Sequence, residues 1–124
     1  MKLRTVIAGL VLAAAASATA RESVSLHLSS TTSWAPANLV IRASVEPDAD
    51  NRAMEIVAES ETLYRSSLIT LEGDRAPKTT TVHFRSLPAG EYEVTAVVTG
   101  ADGRTRALAR SRVYVIDVRA SSAR

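Results

Sequence analysis

A chain of 124 residues with no cysteine, one Trp, one Phe and three Tyr is one small domain, without disulfides or thiolate metal sites. Its fifteen Lys and Arg exceed its thirteen Asp and Glu by two. Lys2 and Arg4 account for that excess, so the rest is neutral overall and lacks the net basic charge that general nucleic-acid binding needs.

Lys2 and Arg4 head an apolar run from Val6 to Ala16, and Ala18-Thr19-Ala20 supplies an A-x-A cleavage pattern. Residues 1–20 therefore read as a secretory signal peptide. The run is shorter than the about 20 apolar residues of a membrane span, and no cysteine is present for lipid attachment. Export to the periplasm or the extracellular space, with no stable membrane anchor, is expected. Residues 21–118 form the predicted domain and 119–124 a small, polar, frayed tail. With few aromatics, Val, Ile, Leu and Ala must supply a core worth roughly 25 cal/mol per Å² buried. A domain of this size is then only marginally stable.

Val24, Leu26 and Leu28 alternate with Ser25 and His27, a short first strand at a sheet edge. The hydroxyl run from Ser29 to Ser33 reads as a loop, with Trp34-Ala35-Pro36 after it. Leu39, Ile41, Ala43 and Val45 then alternate with Val40, Arg42, Ser44 and Glu46, and Pro47-Asp48-Ala49-Asp50-Asn51 ends the strand with strong turn chemistry. Met54, Ile56 and Ala58 face inward on a third strand. From Ser60 to Leu71 the period blurs, and a bulge or a change of sheet is expected. Thr80, Val82 and Phe84 mark the next strand.

The clearest stretch is Leu87 to Val115, two alternating runs joined by Gly100-Ala101-Asp102-Gly103. Tyr92, Val94, Ala96 and Val98 share one face with Ala107, Ala109, Val113 and Val115. Glu91, Glu93 and Val97 share the other with Arg106, Leu108, Arg110 and Arg112. Two registers keep the apolar residues together. A turn over Ala101-Asp102 sets Glu93 against Arg110, whereas one over Asp102-Gly103 sets it against Arg112; a slip by one residue would bury the charges.

These signals predict an all-β fold, a single seven-stranded antiparallel sandwich. At Leu87-Pro88-Ala89-Gly90-Glu91-Tyr92-Glu93-Val94 the chain resembles immunoglobulin-like and fibronectin type III sandwiches, whose sixth strand often opens L-x-x-G-x-Y-x-V. The resemblance implies an immunoglobulin-like sandwich in which Tyr92 forms a tyrosine corner after Gly90, giving both a structural role. The Cys…Trp…Cys signature of true immunoglobulin domains is missing. The single tryptophan, Trp34, is also read as structural, although it precedes the second strand.

Chemistry-bearing constellations are few. His27 and His83 fall on polar faces. Asp48, Asp50 and Asn51 have a D-x-D-N spacing that can offer oxygens to calcium. Acidic turn residues are common without a metal. Small periplasmic copper-resistance sandwiches look similar around Pro88 to Tyr92 and Ala101 to Gly103. The histidines that serve the metal in that family are replaced here by Arg104 and Arg21, which do not ligate copper. No serine lies in a G-x-S-x-G elbow and the carboxylates are scattered, so neither an enzyme nor a bound cofactor is expected.

Two classes remain: a protein-interaction or envelope structural module, and a periplasmic small-ligand or metal-binding protein, for copper or calcium. The first is favoured by residues that break the alternation. Val97, Leu108, Tyr114 and Ile116 are apolar or aromatic on an outward face, Val57 joins from the third strand, and Arg106, Arg110 and Arg112 surround them. Apolar centres rimmed by arginine are enriched at interfaces, although isolated exposed apolar residues are ordinary on any surface. The expected partner is another envelope protein or a second copy of the chain.

Overall fold

The computed structural model describes residues 23–118; the predicted signal peptide and the tail from Arg119 lie outside the described residues. Eight strands are arranged in chain order: β1 (Val24–Leu28), β2 (Thr32–Trp34), β3 (Ala37–Val45), β4 (Asn51–Glu59), β5 (Tyr64–Thr70), β6 (Thr79–Leu87), β7 (Gly90–Gly100) and β8 (Thr105–Ile116). They form two layers, a three-stranded sheet ordered β1-β3-β6 and a five-stranded sheet ordered β2-β8-β7-β4-β5. A 3-10 turn, Gly73–Arg75, lies between β5 and β6.

The all-β sandwich is as the alternation requires. Along β3 and β7 every second residue is buried, and the inner faces meet over Ile41, Met54, Ile56, Tyr92, Val94 and Val113, each at most 1% exposed. The hydroxyl of Tyr92 donates to the carbonyl of Pro88 at 2.7 Å, so the tyrosine corner is present.

Three expectations need correction. Eight strands replace seven, because Thr32–Trp34 is a strand and not a loop. It pairs parallel with β8, Thr32 opposite Tyr114 and Trp34 opposite Ile116, so the sandwich is not wholly antiparallel. Trp34, expected to be structural, is 56% exposed on this edge strand. Its neighbour on β8 places it outward, and the core closes without it. Between Ser60 and Leu71 there is neither a bulge nor a change of sheet: β5 pairs with β4 in unbroken register. The period was blurred because an edge strand carries Tyr64 and Leu68 outward while Leu63 and Ile69 pack against the core.

In the hairpin, Glu93 is opposite Arg112, one of the two expected registers, but the turn is not the one expected to produce it. The Gly103 amide donates to the Gly100 carbonyl and the Gly100 amide to the Arg104 carbonyl, both at 3.0 Å. The turn thus closes over Ala101-Asp102, and Gly103 takes φ +78°, the left-handed position of a three-residue hairpin loop. Continued from Thr99 opposite Thr105, that ladder would turn Leu108, Arg110 and Arg112 into the core. A bulge between Val98 and Thr99 on one strand and Ala107 and Thr105 on the other adds one residue, Arg106, and restores the alternation.

Candidate interaction face and the Arg106 clamp

Cross-strand partners share a face, so the registers map the outer surface of the five-stranded sheet row by row. One row reads Leu68, Glu55, Val97, Leu108; the next reads Ser66, Val57, Thr95, Arg110; the third reads Tyr64, Glu59, Glu93, Arg112. Beyond them lie Glu91, Tyr114 and Thr32, then Ile116 and Trp34. The sheet therefore brings together Val97, Leu108, Arg110, Arg112 and Tyr114 as expected, with Val57 and Ile116.

Two parts of this face were missed in the sequence. The first is Trp34, which the parallel pairing of β2 brings beside Tyr114 (46% exposed) and Ile116 (39% exposed), both expected on this face, to form an apolar corner. Three residues of strand leave no periodic signal. At the opposite edge, Tyr64 and Leu68 (72% exposed) add a second apolar margin. The spacing of Tyr64, Ser66 and Leu68 was the available clue.

Arg112 donates to the Oε1 of Glu91 across the β7–β8 ladder. Glu59 stands directly opposite Glu93. Glu59, Glu61, Glu91, Glu93 and Arg112, together with Ser60 and Thr62, line an open recess of about 660 Å³ at this end of the sheet. Gly90, at the start of β7, borders the same recess and faces the Ser60 side chain.

Arg106 does not join the outer face. As the extra residue of the bulge it points to the end of the sandwich, where its Nε donates to the Oδ1 of Asn51 at 3.3 Å. Its Nη2 lies 3.0 Å from Asp48 Oδ2, and its Nη1 3.4 Å from Asp50 Oδ2. Asn51 is buried and donates through Nδ2 to the Glu46 carbonyl at 3.0 Å. The Asp50 amide donates to Asp48 Oδ1 at 2.8 Å. That hydrogen bond, with the Arg106 charge and its hydrogen bond, outweighs partial desolvation and holds the Asp48 carboxyl below its ordinary value of 3.8. The oxygens weighed for calcium are thus engaged by a guanidinium and a backbone amide.

His27 and His83 are exposed on the three-stranded sheet, on β1 and β6 with β3 between them. Two strand spacings across and two residues of register along the strands keep them about 12 Å apart. Among the described residues no three His, Cys, Asp or Glu side chains come together to hold a metal ion. No helix among them is long and apolar enough to cross a membrane.

No family model matches the sequence, and no curated protein matches it. Solved structures do match the fold. A superoxide reductase (neelaredoxin) from Ignicoccus hospitalis superimposes with a TM-score of 0.57 at 14% identity, over 77% of this chain and 81% of that one. The fibronectin(III)-like modules of Clostridium thermocellum CbhA give 0.52 at 13% identity, over 76% of this chain and 97% of theirs. A family 76 glycoside hydrolase from a bovine Bacteroides thetaiotaomicron strain gives 0.52 at 11% identity, over 74% of this chain and 20% of that protein. At these identities the likeness is one of fold.

Proposed function

We propose that this chain is an exported, non-catalytic β-sandwich module that binds another protein through the outer face of its five-stranded sheet. One observation carries the reading. Trp34, Tyr114 and Ile116 are held together on adjacent strands, exposed to solvent, beside the Arg112–Glu91 pair. Large aromatic residues next to arginine are the side chains that dominate binding energy at protein interfaces. Lone exposed apolar residues need no explanation, but three of them aligned by strand pairing make a continuous patch. The fibronectin(III)-like modules that share the fold are the natural comparison for a domain that works by its surface. The competing reading, a metal or small-ligand protein like the superoxide reductase of similar fold, lacks a converging donor set among the described residues.

The test is Trp34→Ser combined with Tyr114→Ser. Both side chains are exposed, so circular dichroism should be unchanged. Affinity capture of partners from envelope extract should be lost, and undiminished capture by the double variant would overturn the assignment of this face.

A further inference from the structure

Beyond residue 20 the charges of this chain balance overall but not face by face. None of the three strands β1, β3 and β6 contains a carboxylate. Their outer surface presents Arg42 and Arg85, with His27 directly opposite Arg42 and His83 on β6. The outer surface of the five-stranded sheet is the reverse. Among the described residues Glu55, Glu59 and Glu93 have no ion-pair partner there, against a single unpaired arginine, Arg110, while Arg112 and Glu91 neutralise each other. Glu59 directly opposite Glu93 is a like-charged cross-strand pair, which destabilises a sheet. A cation brought against the face offsets that repulsion.

A second copy docking the same face would double the excess of carboxylates. A second copy docking its other face supplies the missing arginines. We propose that the chain self-associates head to tail, the three-stranded-sheet face of one copy, through Arg42 and Arg85, seating on Glu59 and Glu93 of the next. This rests on the reading of the five-stranded face as the docking surface, and it names the partner. The contact is heterologous, so it repeats into a ring or an open row and does not close as a twofold dimer. Arginine stems on one side and Val57 and Val97 on the other, both half-buried, give it an apolar component as well.

Sedimentation equilibrium of the protein at about 0.01 M and about 1 M salt, where screening lengths are about 30 Å and about 3 Å, tests the electrostatic origin. Association should weaken about tenfold or more at the higher salt. Arg42→Glu with Arg85→Glu, and separately Glu59→Lys with Glu93→Lys, should each give a monomer. An equimolar mixture of the two variants should associate again, because each reversed face then meets a complementary one; that recovery also shows that both variants are folded. A monomer at about 0.1 mM in low salt would overturn the proposal. So would association that the Arg42 and Arg85 changes leave intact, or retention through Glu59 and Glu93 of a different basic protein alone. If self-association fails while the Trp34 and Tyr114 changes still remove capture, the docking face stands and only its occupant is wrong.

Discussion

The two ends of the β7–β8 hairpin are each tied to a neighbouring loop by one side chain, and they do it by opposite physics. At the open end Tyr92 is fully buried and spends its single hydroxyl on one carbonyl, Pro88. At the turn end the side chain of Arg106 is 34% exposed and spreads three nitrogens over Asp48, Asp50 and Asn51. More bonds do not make the stronger tie. Exposed ion pairs gain little over their hydration, whereas a buried ring removes apolar area from water and fills space that nothing else fills.

The comparison breaks most visibly at Tyr92. Tyr92→Ala should cost about 3–5 kcal/mol, the range for emptying a buried aromatic site, measured as a fall in the denaturant midpoint. Arg106→Ala comes next, at about 1–2 kcal/mol, because the Oδ1 of buried Asn51 loses its donor and water reaches it only in part. A loss as large as that of Tyr92→Ala would mean that the clamp, not the corner, governs this hairpin. Tyr92→Phe sharpens the division within the corner itself. It keeps the ring and should cost about 0.5–1.5 kcal/mol, the net worth of one hydrogen bond.

The smallest effect is the pH dependence of the clamp. Asp48 is held below 3.8 in the folded chain, so its contribution is fully present above the unfolded value and is lost as pH falls through the lowered folded value. Stability measured from neutral to acid pH should therefore decline less in Asp48→Asn than in the parent over that window. Equal declines would assign no linkage to this carboxylate.

The same contrast explains what was legible in the sequence. Tyr92 was readable because L-x-x-G-x-Y is a local pattern whose bond reaches only four residues back. The long strands β3, β4 and β7 were readable because two-layer burial imposes a strict period of two. Arg106 was misplaced because a bulge changes parity without leaving a mark in composition; in the alternation it stands level with Arg110 and Arg112. Trp34 and β2 were missed because a three-residue parallel ladder has its partner 82 positions away, Thr32 against Tyr114. The outer face was half legible: the apolar exceptions on β8 were visible, but their company on β2 and β5 depends on strand order.

The parallel pairing of β2 with β8 also decides how the domain bears a load. Tension on the chain meets the β1–β3 ladder first; once β1 has parted from β3, a pull between the amino end of β2 and the carboxyl end of β8 draws two neighbouring parallel strands in opposite directions along their length. The bonds from the Tyr114 amide to the Thr31 carbonyl (2.9 Å) and from the Ala35 amide to the Ile116 carbonyl (2.8 Å) lie at the two ends of that ladder. Drawn this way they are strained together in shear, not opened one after the other like a zip. The three residues added beside β8 would then resist as a unit, giving way in one step.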